Sequence, residues 1–255
     1  MNRRELTHQL KNYDALGESG WDDGRSYIPC RSLPPDVLRM VQCLKPRSPF
    51  EGFGALRLRT YRARLTGLDS SPQQIFSTWK NHFSSFWPEG NYFLPCGAGI
   101  EPGTIGVILL SMPMGVRIVT GARVMYVDET SFSLTTLQGH MFAGWITFST
   151  FLEDGQPVLQ IQALVRPGDP LFELTFLLGV GTAAEDRFWH AGLRNFARHL
   201  GVEPVVEQVN RTVDRSIQWR YFGNIWYNAG IRSIPRFFGR SLKKIINQPG
   251  VKSDT

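Results

Sequence analysis

The side chains best suited to chemistry are a histidine at a turn, His140 after Gly139, and two arginines set in apolar runs, Arg123 and Arg166. A turn histidine titrates near neutral pH, so it can donate to a carbonyl or move a proton. The same ring can instead brace its turn by bonding to backbone. An arginine facing a cavity can grip a carboxylate or phosphate in bidentate fashion, whereas one facing water is simply solvated. His140 is therefore the candidate acid–base residue, with Arg123 as its oxyanion or head-group partner. His190 has Asp186 four residues earlier, which suits a charge pair within a helix. No His-x-x-x-His or cysteine pair stands near to supply three converging metal ligands, so no metal is expected. Arg57, Arg59, Arg62 and Arg64 crowd one short run and read as a solvated strand edge that discourages aggregation. Gly97-Ala98-Gly99 leads into Glu101-Pro102 and not into a helix, which is no phosphate cradle. No serine lies in a nucleophile elbow. No cofactor is expected.

The elements that must position these residues are marked by their punctuation. Leu56 to Leu65 is strand-like, with an apolar phase that switches near Thr60 and Tyr61, as at a bulge. Ser71, Pro72 and Gln74 form a capping box at the start of a helix whose apolar face holds Ile75, Phe76, Trp79, Phe83, Phe86 and Trp87; Pro88 ends it. Strand-like runs follow at 104–110, 116–127, 132–137, 144–152, 158–165 and 171–178. The turns between them are short, which indicates antiparallel hairpins. Thr182 and Glu185 form a second capping box for a long helix with Phe188, Trp189, Gly192, Leu193, Phe196 and Leu200 on its buried face. Gly201 supplies its stop.

This order predicts an α+β helix-grip fold: a curved antiparallel sheet of about six or seven strands wrapped around a long C-terminal helix, with an additional helical tail. Three segments are expected. Residues 1–50 form an extension with a short helix from Pro35 to about Cys43, residues 51–203 a ligand-binding domain, and residues 204–255 a basic, aromatic-rich tail. Ligand-lining residues are expected at Trp145, Phe148, Arg166, Trp189 and Phe196.

Charge separates the tail from the rest. The chain carries a net charge of +6, and residues 205–255 hold the whole excess, nine Lys and Arg against three Asp and Glu. A neutral body with a basic end is unlike a nucleic-acid binder. After Pro235, Phe238, Leu242, Ile245 and Ile246 share one helical face, while Arg236, Arg240, Lys243 and Lys244 share the other. Such a helix over 231–248 suits a peripheral membrane surface, docking on its own domain, or a homodimer contact. Three widely spaced cysteines, Cys30, Cys43 and Cys96, suggest neither a disulfide framework nor a zinc ribbon, and point to a reducing, cytoplasmic setting.

Several short motifs carry a family resemblance. They are Gly103-Thr104 before an apolar strand, the run Arg123-Val124-Met125-Tyr126-Val127, the step Thr136-Leu137-Gln138-Gly139-His140, and Arg166-Pro167 at a strand end. On these, residues 54–202 resemble the family known only as the domain of unknown function numbered nineteen-ninety. Its usual Gly-Glu-Glu-like stretch is replaced here by Ala143-Gly144-Trp145. The resemblance implies the domain and no particular activity.

The expected function is binding of a small hydrophobic molecule or lipid in an apolar cup. A cofactor-independent cyclase, dehydratase or isomerase acting on a polyketide-like or terpenoid substrate is the alternative. An oligomerising interaction module is the third reading.

Overall fold

The computed structural model describes residue 41 and residues 44–96, 99–111 and 117–233. The expected helix over 35–43 and the basic helix after Pro235 lie outside the described residues.

Nine strands form one antiparallel sheet. They are β1 (Pro46–Arg47), β2 (Leu56–Arg64), β3 (Tyr92–Pro95), β4 (Ile105–Ser111), β5 (Arg117–Val127), β6 (Ser131–Leu137), β7 (Phe142–Glu153), β8 (Gln156–Pro167) and β9 (Val206–Asp214). The spatial order is β3-β4-β5-β6-β7-β8-β2-β9, with β1 added against β6. The described residues also form the helices α1 (Pro72–Asn81), α2 (Pro170–Leu177), α3 (Val180–His199) and α4 (Ala229–Ser233). Among the described residues, 3-10 stretches run over Phe83–Phe86 and Trp219–Tyr227.

Alternation along the strands sorts the core. The concave face presents Tyr61, Ala63, Ala122, Val124, Phe132, Leu134, Phe148, Leu159 and Ile161 to α1, the first 3-10 stretch and α3. From the helices come Phe76, Trp79, Phe86, Leu193 and Phe196. The sheet thus grips α3, which is the helix-grip arrangement. On the convex face Val41 packs with Cys96, Val107 and Leu137, and Phe50 packs with Leu56, Trp145 and Leu164. Val41, Leu44 and Phe50 therefore cover part of the back of the sheet.

The first capping box forms as expected: the Gln74 N–H donates to Ser71 Oγ at 3.3 Å, and the Ser71 N–H donates to Gln74 Oε1 at 3.0 Å. Other expectations are corrected. Residues 171–178 are not a strand, because Asp169 caps the N–H groups of Leu171 and Phe172 and Pro170 starts α2. The expected Thr182–Glu185 capping box does not form. Helix α3 begins at Val180 after Gly179 in the left-handed region, and Glu185 is taken by another partner. No bulge interrupts β2 at Thr60 and Tyr61, where pairing with β8 and β9 is continuous. The phase switch arises because a charged residue, Arg59, occupies an inward position with Tyr61 and Ala63.

The four arginines do not mark a sheet edge, since β2 lies between β8 and β9. The sheet also extends past 51–203 at both ends, through β1 and β9. Residues 204–255, expected as a helical tail, thus open with a strand. Cys96 is disulfide-bonded, which corrects the reading of the cysteines and removes the argument for a reducing compartment.

Candidate ligand-binding site under the long helix

The concave side of the sheet is occupied by interlocking rings. Trp79 stacks on Phe196 at 5.3 Å and meets Phe148 edge-on at 5.6 Å. Phe83 packs edge-on against Phe148 and Phe132 at 4.8 and 5.1 Å. At the rim, Trp87, Phe188 and Trp189 are only half-buried and lie edge-to-face with one another. Phe148 joins the rim to the floor through Trp189 at 5.6 Å. Trp87 Nε1 is buried and has no hydrogen-bond partner among the described residues. A buried donor left unmade is costly, so the rim carries an unanswered demand for an acceptor.

Beside the rings lies a buried charge cluster. The Arg59 guanidinium contacts Glu185 and, at 2.5 Å, Asp186; its Nε donates to Asn210 Oδ1 at 3.2 Å. The Tyr61 hydroxyl donates to Asp186 at 2.8 Å. Its ring meets that of His190 edge-on, and His190 bonds Gln208 at 2.7 Å. One guanidinium serves two adjacent carboxylates. Burial pushes Glu185 up to about 7, with the Asp186 charge adding to that and Arg59 opposing it. Burial also raises the Tyr61 hydroxyl, with the Glu185 charge adding to that, so it stays a donor. The expected in-helix pair of His190 and Asp186 gives way to these partners.

The expected ligand-lining residues separate. Phe148, Trp189 and Phe196 come together in the ring cluster. Trp145 packs on the convex side with Leu56 and Leu164. Arg166 is buried and holds backbone: its guanidinium donates to the Gly54 and Ser216 carbonyls at 2.6 and 2.9 Å and pairs with Asp214. Arg123 alternates with Ala122 and Val124 of the concave cluster, so it points to the convex side.

His140 lies elsewhere, in the turn between β6 and β7. It borders a pocket of about 10 Å³, room for one water, with Arg47, Gln138, Asp169 and Asn224. Its Nδ1 accepts the Phe142 N–H at 3.0 Å, and burial pushes the ring down to about 4. The ring is thus neutral near pH 7. Thr136 Oγ1 accepts the Gly144 N–H at 3.1 Å across the same turn. Thr136, Gly139 and His140 together clasp the β6–β7 turn. Among the described residues, no three His, Cys, Asp or Glu side chains converge to hold a metal ion.

Residues 90–201 match the family model DUF1990, a domain of unknown function. The matched segment runs from just before β3 through α3 and lies within the stretch 54–202 that carries the resemblance. It contains Glu185 and the Thr136–His140 turn but not Arg59 or Tyr61. No curated protein sequence matches the chain. Among solved structures, the chain is similar to protein Ms6760 from Mycobacterium smegmatis at 13% identity and TM-score 0.41, covering 63% of this chain and 98% of that one. It is similar to Ara h 8.0201 at 11% identity and TM-score 0.40, covering 56% and 97%. It is also similar to the di-domain ARO/CYC StfQ from the steffimycin biosynthetic pathway at 8% identity and TM-score 0.44, covering 58% and 51%.

The Arg59 cluster is the feature that sequence reasoning missed. Its signal was present as the broken apolar phase of β2: an arginine at an inward position needs a buried acid, and Glu185 faces it from α3.

Proposed function

We propose that this helix-grip domain binds a small, largely apolar molecule that carries one hydrogen-bond acceptor, at the aromatic rim between Trp87 and α3. The observation that carries this reading is Trp87 Nε1, a buried donor without a partner among the described residues, set inside a wall of half-buried rings. An acceptor on a ligand satisfies that donor, and ring–ligand contacts replace ring–ring contacts of similar strength. The rings fill the concave side, so entry requires Phe188 and Trp189 to move with α3. Burying the ligand's apolar surface offsets that cost.

Trp87→Phe tests the reading, because it keeps the ring and removes the donor. Native mass spectrometry of protein purified from its source is expected to show a bound small molecule in the wild type and to lose it in this variant. In parallel, N-phenyl-1-naphthylamine serves as an apolar probe whose emission rises on binding. Trp189→Ala is expected to weaken probe binding about ten-fold, the size of one lost aromatic contact. Repeated absence of any bound molecule, with no probe binding, overturns the proposal. Chemical conversion of the bound molecule would extend the reading to an enzyme. Glu185, pushed to about 7, lies three residues before Phe188 of that rim.

A further inference from the structure

The turn joining α2 to α3 is unusually apolar for an exposed feature. Residues 174–184 contain no charged side chain. Within them Leu177 and Leu178 are 69% and 70% exposed, and Leu174 and Val180 are exposed as well. Helix α2 turns Phe172, Glu173 and Phe176 inward, so its outward face is leucine. Water normally drives such side chains under cover.

The 3-10 helix Trp219–Tyr227 packs against α2 and extends the same character. Trp226 is 82% exposed, and Trp219 and Phe222 are exposed beside it. Phe53 anchors this helix from below through Trp219 at 5.4 Å. Residues 215–233 include Arg215, Arg220 and Arg232 and no acidic residue. Leucines at a protruding turn, exposed tryptophans and an acid-free basic flank are the chemistry of an interfacial membrane anchor.

We propose that the α2–α3 turn and the Trp219–Tyr227 helix form one docking face for an anionic lipid surface, with Leu177, Leu178 and Trp226 entering the headgroup region. Charge selects this occupant. Residues 234–255 carry Arg236, Arg240, Lys243, Lys244 and Lys252 against Asp254 alone, the same sign as the flank of this face. A fold-back of that segment brings like charges together, and a second copy of the face does the same. A phosphatidylserine-bearing surface instead attracts both the face and the segment that follows it. This inference is independent of ligand binding at the aromatic rim.

Vesicle co-sedimentation of the full chain tests it, with phosphatidylcholine vesicles compared with vesicles that also contain phosphatidylserine. Binding to the mixed vesicles alone is expected, with a blue shift of tryptophan emission lost in Trp226→Ala. Leu177→Asp with Leu178→Asp is expected to weaken binding at least about ten-fold, since each buried leucine contributes that much or more. Both side chains are exposed, so thermal unfolding should match the wild type. Lys243→Glu with Lys244→Glu provides the comparison. Loss of vesicle binding in that variant, with the leucine variant unaffected, places attachment in the segment after 233 and overturns the proposal. So does absence of vesicle binding. A dimer in light scattering that the leucine change dissociates, without effect on vesicles, assigns the face to a second copy and overturns it too.

Discussion

Arg59 and Glu185 form an ion pair in which both side chains are almost wholly buried, at 2% and 6% exposure. Asp186 shares the same guanidinium. Taking one partner away leaves an uncompensated charge in a poor solvent, which costs more than the pair itself contributes. Arg59→Met is therefore expected to destabilise the fold by on the order of 3–5 kcal/mol. Arg59→Met combined with Glu185→Leu is expected to recover a large part of that loss. Urea unfolding of the two variants checks this, and a stable Arg59→Met protein would sink it.

Two groups shifted by burial, Glu185 and the partly exposed His140, give opposite pH signatures. Glu185 is raised from its usual 4.5 to about 7, so the unfolded chain releases the proton first and stability falls as pH rises through that window. His140 is lowered from 6.5 to about 4, so the unfolded chain takes up the proton first and stability falls as pH drops through that window. Each slope is at most about 1.4 kcal/mol per pH unit, and the two oppose each other where the windows overlap. Glu185→Gln should leave stability rising with pH up to 6.5. His140→Asn should leave it falling as pH rises to 7. Denaturation midpoints across pH 4–8 separate the two; parallel curves would contradict both assignments.

Gly139 has φ +88°, and a Cβ there would lie 2.1 Å from the Tyr227 carbonyl oxygen. Its own carbonyl accepts the Ala229 N–H at 2.8 Å, so the turn and the C-terminal helices touch backbone to backbone. Gly139→Ala is expected to cost roughly 2–4 kcal/mol, combining the left-handed penalty with the clash. Gly67, at φ +82° with nothing within 4 Å, is the control and should cost only the conformational part. Equal losses at the two sites, measured by thermal unfolding, would remove the close approach from the account.

The disulfide at Cys96 sets a thiol count. Of three cysteines, one is expected to titrate as free thiol in the denatured, unreduced chain, and all three after reduction. Three thiols before reduction would show that the bond does not form.

Much of the fold was legible because local rules state it. Ser71, Pro72 and Gln74 cap α1 by contacts within four residues, and the short turns between β4 and β8 leave antiparallel pairing as the simple solution. Asp169-Pro170 is equally local, yet α2, apolar except for Glu173 and Thr175, shows no helical period, and Pro167-Gly168-Asp169 has the composition of a turn. Strand β9 was hidden for the opposite reason. Its Val206–Asp214 side chains are largely exposed, so no apolar alternation announces it, and pairing with β2 decides it.

The site was less legible. Trp145 and Phe148 are three apart on one strand, so period-two alternation puts them on opposite faces, whatever surrounds them. His140 has the type suited to acid–base work, but its Nδ1 is taken by the Phe142 N–H next to it.

From residue order alone came the antiparallel sheet, the gripping helix and the basic bias of the C-terminal part. These depend on spacing, caps and charge counts, which are properties of neighbours in the chain. Only the folded molecule joined Arg59 to Glu185, 126 positions apart, and left Trp87 Nε1 buried without an acceptor among the described residues. Both depend on which faces meet across the cup. Burial then gives each polar group an energy that its place in the chain cannot specify.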